Sequence, residues 1–121
     1  MRHAAVTGWG MYVPERVLTN HDLSTMVDTS DEWIVSRTGI RERRIAATSE
    51  TGVSMSVASG RAACARAGLD PADLDLIIVG TYTPDQYMPS VASMVQHELG
   101  ALRAGAFDVN AACSGFVYAL A

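Results

Sequence analysis

The sequence predicts an α/β fold in which a mainly parallel sheet is layered with helices. Three observations carry this. Leu-Ile-Ile-Val, within the stretch Leu74–Tyr82, reads as a fully buried parallel strand, and Gly105–Asn110 reads as a second buried strand. Stretches with helical start signals alternate with the strands, and glycines stand where those helices should stop. That alternation is the pattern of a layered α/β domain.

Taken in order, Ala4–Trp9 reads as a short apolar strand, and Gly8 and Gly10 lead it into a loop. Val13-Pro14 marks a turn or extended passage, because the residue before proline is steered away from the helical region. Asn20 is a suitable N-cap for a short helix from His21 to about Val27. Thr29 and Glu32 match a capping box for a helix that Gly39 would close. Ile40–Ala46 alternates enough to be an exposed strand or hairpin arm. The Thr48–Thr51 run signals the start of a helix from Gly52 to Ala67, which Gly68 ends. Its Ala, Ser and Gly positions permit close packing. After Leu74–Tyr82 comes the loop Thr83–Pro89. Ser90–Leu99 is then an amphipathic helix with Val91, Met94, Val95 and Leu99 on one face, stopped by Gly100. Cys113–Ala121 reads as the start of an apolar helix, too short to be stable alone and without a C-terminal cap, so the chain is expected to be cut inside it.

At 121 residues and 49% hydrophobic, the chain has room for one modest core. The net charge of −4 argues against a nucleic-acid partner. All nine basic residues are arginine, which excludes a Schiff-base lysine or a phosphate-loop lysine. No apolar run is long enough to span a membrane, and the N-terminal residues do not form a signal peptide. Two cysteines, Cys64 and Cys113, fit a reducing cytoplasm better than a disulfide scaffold. His3, His21 and His97 lie far apart, none beside a cysteine, so no metal site is expected. Each reads as a surface residue. Cys64, in the Ala-rich helix, reads as packed core, and Trp9 as core or interface.

Cys113 is the strongest chemical candidate. It follows a strand and the small-residue corner Ala111-Ala112, at the start of a helix. Unpaired N–H groups and the helix macrodipole favour a thiolate there, and small neighbours leave room for an acyl group, as at a nucleophile elbow. The competing reading is a buried structural cysteine. Trp33 and Arg37, four apart on a capped helix, share a face. An indole beside a guanidinium suits an adenine ring and a phosphate. It equally suits a half-buried Trp covered by an Arg stem. Arg41, Arg43 and Arg44 add a local positive patch.

Asp108–Phe116, with Ala111-Ala112-Cys113-Ser114-Gly115 at its centre, resembles the active-site segment of β-ketoacyl-acyl carrier protein synthase III. Val27–Val35 and Arg37–Arg43 resemble that family's early coenzyme A-binding segment. The resemblance covers residues 1–121 as the opening part of a thiolase-like condensing-enzyme domain, an incomplete first half. Such an enzyme runs to roughly three times this length. The resemblance implies acyl transfer from acyl-CoA to Cys113, followed by decarboxylative condensation with malonyl-acyl carrier protein. It places Trp33, Arg37 and Thr29 at coenzyme A-contacting positions. Met88 falls at a position reaching across the dimer into the partner's acyl pocket, where Phe is frequent in the family. The decarboxylation step would use a His and an Asn from the later half. Coenzyme A enters as a substrate thioester, with no further cofactor, in a cytoplasmic homodimer. A sister synthase of hydroxymethylglutaryl-CoA or chalcone type, and a non-catalytic binding domain with a buried Cys113, are the competing readings.

Overall fold

The computed structural model describes residues 4–121, so His3 lies outside the described residues. The chain divides into two compact units, Val13–Glu50 and residues 4–12 together with Thr51–Ala121.

In the smaller unit, β1 (Arg16–Thr19) pairs antiparallel with β2 (Glu42–Ile45), Arg16 opposite Ile45 and Thr19 opposite Glu42. The arm expected at Ile40–Ala46 is therefore a strand, but its partner carries no apolar alternation that would announce it. Helix α1 (Asn20–Ser24) starts one residue earlier than expected and is capped by Thr19, not Asn20. The Thr19 hydroxyl accepts from the Asp22 N–H at 3.1 Å, and the Asp22 carboxylate accepts from the Thr19 N–H at 2.9 Å. The Thr19 hydroxyl also donates to that carboxylate at 2.6 Å, and this bond first, with the Thr19 N–H second, holds the Asp22 carboxyl below the usual carboxylate range. The helix stops at Ser24 rather than Val27.

Helix α2 (Asp31–Thr38) is likewise capped one residue away from expectation, by Ser30 rather than Thr29, whose hydroxyl accepts from the Trp33 N–H at 3.1 Å. Gly39 closes the helix at φ 74°, a conformation that costs a side-chain-bearing residue energy. The interior of this unit includes a polar side chain. Ile34 is its only buried hydrophobic helix residue, and Asn20 is 1% exposed.

The larger unit carries the apolar core. Helix α3 (Gly52–Ala67) runs between the expected residues, with a reciprocal Thr51–Ser54 cap at its start and Gly68 at its end. A 3-10 turn at Pro71–Asp73, capped by Asp70, leads into β3 (Leu76–Gly80). That strand is shorter than Leu74–Tyr82 because Leu74 closes the 3-10 turn. It is half-buried rather than fully buried, and Leu76 is half exposed. It pairs in parallel with β4 (Gly105–Val109), Leu76 opposite Gly105 and Gly80 opposite Val109. Helix α4 (Val91–Leu99), capped by Ser90 and closed by Gly100, buries Val91, Ala92, Val95 and Leu99. With Ala101 and Ala104, Val91, Val95 and Leu99 meet Val53, Val57, Ile77 and Val79. Burying each large side chain of this stripe contributes about 1.5–3 kcal/mol, so this stripe dominates the unit's stability.

Residues 4–9 form no strand, contrary to expectation, because they make no ladder with any described residue. They are followed by a close approach to α3 instead. A β-carbon on Gly10 would fall 2.1 Å from the Ser59 carbonyl oxygen, and one on Gly8 2.5 Å from that of Ala63. Trp9, expected in a core or interface, is exposed. Its ring lies 3.9 Å from the Arg66 guanidinium carbon, and Arg66 donates to the Trp9 carbonyl at 2.9 Å. Cys64 is buried, as expected.

Candidate active site

β4 delivers the chain to a corner whose geometry is set by small residues. Ala112 sits at φ 45°, the sole non-glycine with positive φ among the described residues. Holding an alanine there costs of order 1–3 kcal/mol, a price set by the surrounding packing. Cys113 follows within a 3-10 turn, Ala112–Ser114, and helix α5 (Gly115–Leu120) begins only afterwards. The cysteine thus stands just ahead of the α-helix rather than opening it, because the reversal at Ala112 is closed first by the tighter turn. The Ser114 N–H donates to the Ala111 carbonyl at 2.9 Å and fixes that turn. Behind the corner, Gly115 packs on Gly80 at the end of β3. A β-carbon on Gly80 would lie 3.2 Å from the Gly115 carbonyl carbon. This backbone-to-backbone approach seats the turn directly on the sheet.

The thiol of Cys113 is exposed, not buried in the core. Its turn also differs from the other helical starts. Thr19, Ser30, Thr51, Asp70 and Ser90 each cap their helix or turn through a side-chain oxygen, whereas Ala111 and Ser114 provide no side-chain cap. The Ser114 and Gly115 N–H groups donate instead to the Ala111 and Ala112 carbonyls. An accessible thiol on such a turn is an arrangement that can attack a carbonyl.

Asp108, on β4, makes a tie that the sequence pattern does not reveal. Its two carboxylate oxygens accept from the Ala92 N–H at 2.7 Å and the Val91 N–H at 2.9 Å. It therefore ties the start of α4 to the strand that leads into Cys113, and the favourable helix dipole adds to these charge-assisted bonds. No local signal could announce a link spanning so many residues. Met88, in the loop immediately before α4, is 85% exposed and reaches no core.

In the other unit, Trp33 and Arg37 do share a face of α2, with the Arg37 guanidinium carbon 4.9 Å from the indole centroid. Trp33 is 54% exposed, so the pair forms an open platform rather than a buried stack. Beside it, Asp28, Thr29, Ser30 and Trp33 line a recess of about 390 Å³. The structure brings Thr29 and Trp33 together there. The positive patch is narrower than its three arginines suggest. The Arg43 guanidinium donates to the Asn20 side-chain oxygen, and Arg44 donates to the Pro14 carbonyl at 3.2 Å and lies 3.6 Å from Glu42. His21 and His97 are both exposed, as surface histidines should be.

A parallel strand pair delivering a cysteine to a small-residue corner, with helices packed on the strands, is the opening portion of the thiolase-like fold of condensing enzymes. A solved 3-oxoacyl-[acyl-carrier-protein] synthase III from Aquifex aeolicus superposes with a TM-score of 0.89 at 54% identity, over 94% of this chain and 37% of that one. The priming β-ketosynthase of the R1128 polyketide biosynthetic pathway superposes with a TM-score of 0.90 at 48% identity, over 95% of this chain and 34% of that one. Among sequences, the β-ketoacyl-[acyl-carrier-protein] synthase III of Roseiflexus castenholzii is 64% identical over 117 residues, 97% of this chain and 36% of the relative. The chain matches the N-terminal portion of β-ketoacyl-[acyl-carrier-protein] synthase III. It spans 36% of the length of the first relatives it matches. No protein-family model matches it.

Proposed function

We propose that the protein to which this chain belongs is a β-ketoacyl-acyl carrier protein synthase III, with Cys113 as its nucleophile. The Cys113 thiolate attacks the thioester carbonyl of a short acyl-CoA, the carbon–sulfur bond to coenzyme A breaks, and the acyl group remains on the cysteine. Malonyl-acyl carrier protein then loses CO₂, its carbanion attacks the carbonyl of the acyl-enzyme, and the bond to the Cys113 sulfur breaks, freeing the cysteine as thiolate. Trp33 offers a face to the adenine ring, Arg37 a charge to a phosphate, and Thr29 a polar group in the adjoining recess. Met88 would line the acyl pocket of a partner subunit, in a cytoplasmic homodimer. Among the described residues no helix is long and apolar enough to cross a membrane.

The observation that carries this reading is the exposed thiol on a turn without a side-chain cap, placed by a sheet shared with synthase III structures. The intact protein, incubated with a short acyl-CoA, should gain one acyl mass at Cys113. A Cys113→Ser variant should lose both labelling and condensation, because a hydroxyl is scarcely ionised at neutral pH. Labelling at Cys64, or undiminished labelling of the serine variant, would overturn the assignment. Trp33→Ala and Arg37→Ala should each raise the acyl-CoA KM more than they lower kcat, since they touch a part of the substrate remote from the bond changes.

A further inference from the structure

Asn20 is the most deeply buried polar residue described, and every polar group of its side chain is engaged. Its amide nitrogen donates to the Asp31 carboxylate at 2.7 Å and to the Ile40 carbonyl at 2.7 Å. Its amide oxygen accepts from the Arg43 guanidinium, and its backbone N–H donates to the Arg41 carbonyl at 3.2 Å. The orientation of the amide is dictated by chemistry, because Asp31 and Ile40 offer only acceptors and Arg43 only donors.

The placement of those partners matters more than their number. Asp31 is the first residue of α2, and Ile40 directly follows Gly39, which closes it. A single side chain thus grips the helix at both ends. That helix has 8 residues, below the length at which a helix holds itself together in water. Its one buried side chain, Ile34, gives it a point of attachment but leaves its rotation and pitch weakly fixed. Trp33 and Arg37 are both exposed and stack on each other, and neither is buried in a core that would fix where they stand. The orientation of the whole helix decides it.

We infer that Asn20 is a positioning residue for ligand recognition, clamping α2 at both ends so that Trp33 and Arg37 present one ready-made face to coenzyme A. The inference rests on the coenzyme A reading of that face given above. It assigns Asn20 no contact with substrate. Asn20→Asp keeps the shape and the Arg43 contact but turns two donors into an acceptor facing the Asp31 carboxylate and the Ile40 carbonyl. Asp31→Ala removes one end of the clamp from an exposed position. Glu32→Ala is the control, since it deletes an equal charge from the same helical turn without touching Asn20.

The test is the dissociation constant of coenzyme A itself, measured by calorimetry on the intact protein, beside the rate of Cys113 alkylation by iodoacetamide. Asn20→Asp should weaken coenzyme A binding about tenfold, the loss expected from breaking two buried bonds to one amide. Asp31→Ala should weaken it by a smaller factor. Glu32→Ala should leave it unchanged, and all three should alkylate at the native rate. In a Trp33→Ala, Arg37→Ala background the Asp31→Ala effect should vanish, because its route to the ligand has been removed. A native dissociation constant in Asp31→Ala, or an undiminished effect in that background, overturns the inference. If Asn20→Asp fails to fold, Asp31→Ala decides by the same two criteria. Native binding in the Trp33→Ala, Arg37→Ala protein itself brings down the coenzyme A reading, and the inference with it.

Discussion

The two units of the chain hold the residues proposed for function by opposite means. Residues 13–50 tie both ends of the helix that carries Trp33 and Arg37 with hydrogen bonds centred on Asn20, and bury a single apolar helix residue, Ile34. The larger unit supports Cys113 on a strand pair backed by Val91, Val95 and Leu99. Hydrogen bonds are directional and weak on balance, whereas apolar burial is strong and without direction. A face that must meet a ligand at a fixed angle is served by the first. A corner that must hold an alanine at positive φ is served by the second.

The largest expected break in this contrast is Leu99→Ala. Emptying that core position should destabilise the intact protein by about 2–5 kcal/mol in urea unfolding. The surviving folded protein should bind coenzyme A with native affinity, since Leu99 belongs to the unit that does not carry Trp33 and Arg37. A smaller effect is expected from Asp108→Ala, which strips two N–H groups of α4 of their acceptors at a cost of about 1–3 kcal/mol. Acylation of Cys113 should slow in that variant while the dissociation constant of coenzyme A holds. Equal acylation rates would show that the tie between α4 and β4 has no bearing on the corner.

The smallest effect sharpens the contrast through pH. The carboxyl of Asp22 ionises more readily in the folded chain than in the unfolded one, because Thr19 donates to it. Its contribution is therefore complete above the ordinary carboxylate range and is lost as pH falls through the lowered folded value. Amide resonances of α1 should shift in that acidic window. Those midway along α3, whose N–H groups donate within the helix, should not. Simultaneous movement of both would indicate global acid unfolding instead.

The same division governs what could be read from the residues alone. Helices α3 and α4 were legible because each carries its start signal, its stop glycine and, in α4, its apolar stripe in adjacent positions. The corner at Cys113 was legible for the same reason, since strand, small residues and thiol are contiguous. In the smaller unit the reading slipped by one residue at both helix starts. Thr19 and Asn20 are both competent caps, as are Thr29 and Ser30. What decides the first pair is that the Asn20 amide is consumed by Asp31, Ile40 and Arg43, partners distant in sequence. Strand β1 escaped because Arg-Val-Leu-Thr gives no clear alternation, and its partner lies beyond two helices. Asp108 escaped likewise, its role being a link to α4 that local pattern cannot encode.

The two guanidinium–indole stacks have an optical consequence. The chain has two tryptophans, and each lies under an arginine, Trp33 beneath Arg37 and Trp9 beneath Arg66. Their emission should begin from similar electrostatic surroundings. A nucleotide base stacking on Trp33 would quench one emitter and leave the other as an internal standard in the same molecule. Replacing Trp9 by phenylalanine would convert the protein into a single-fluorophore sensor for occupancy of the Trp33 face, with no dye attached.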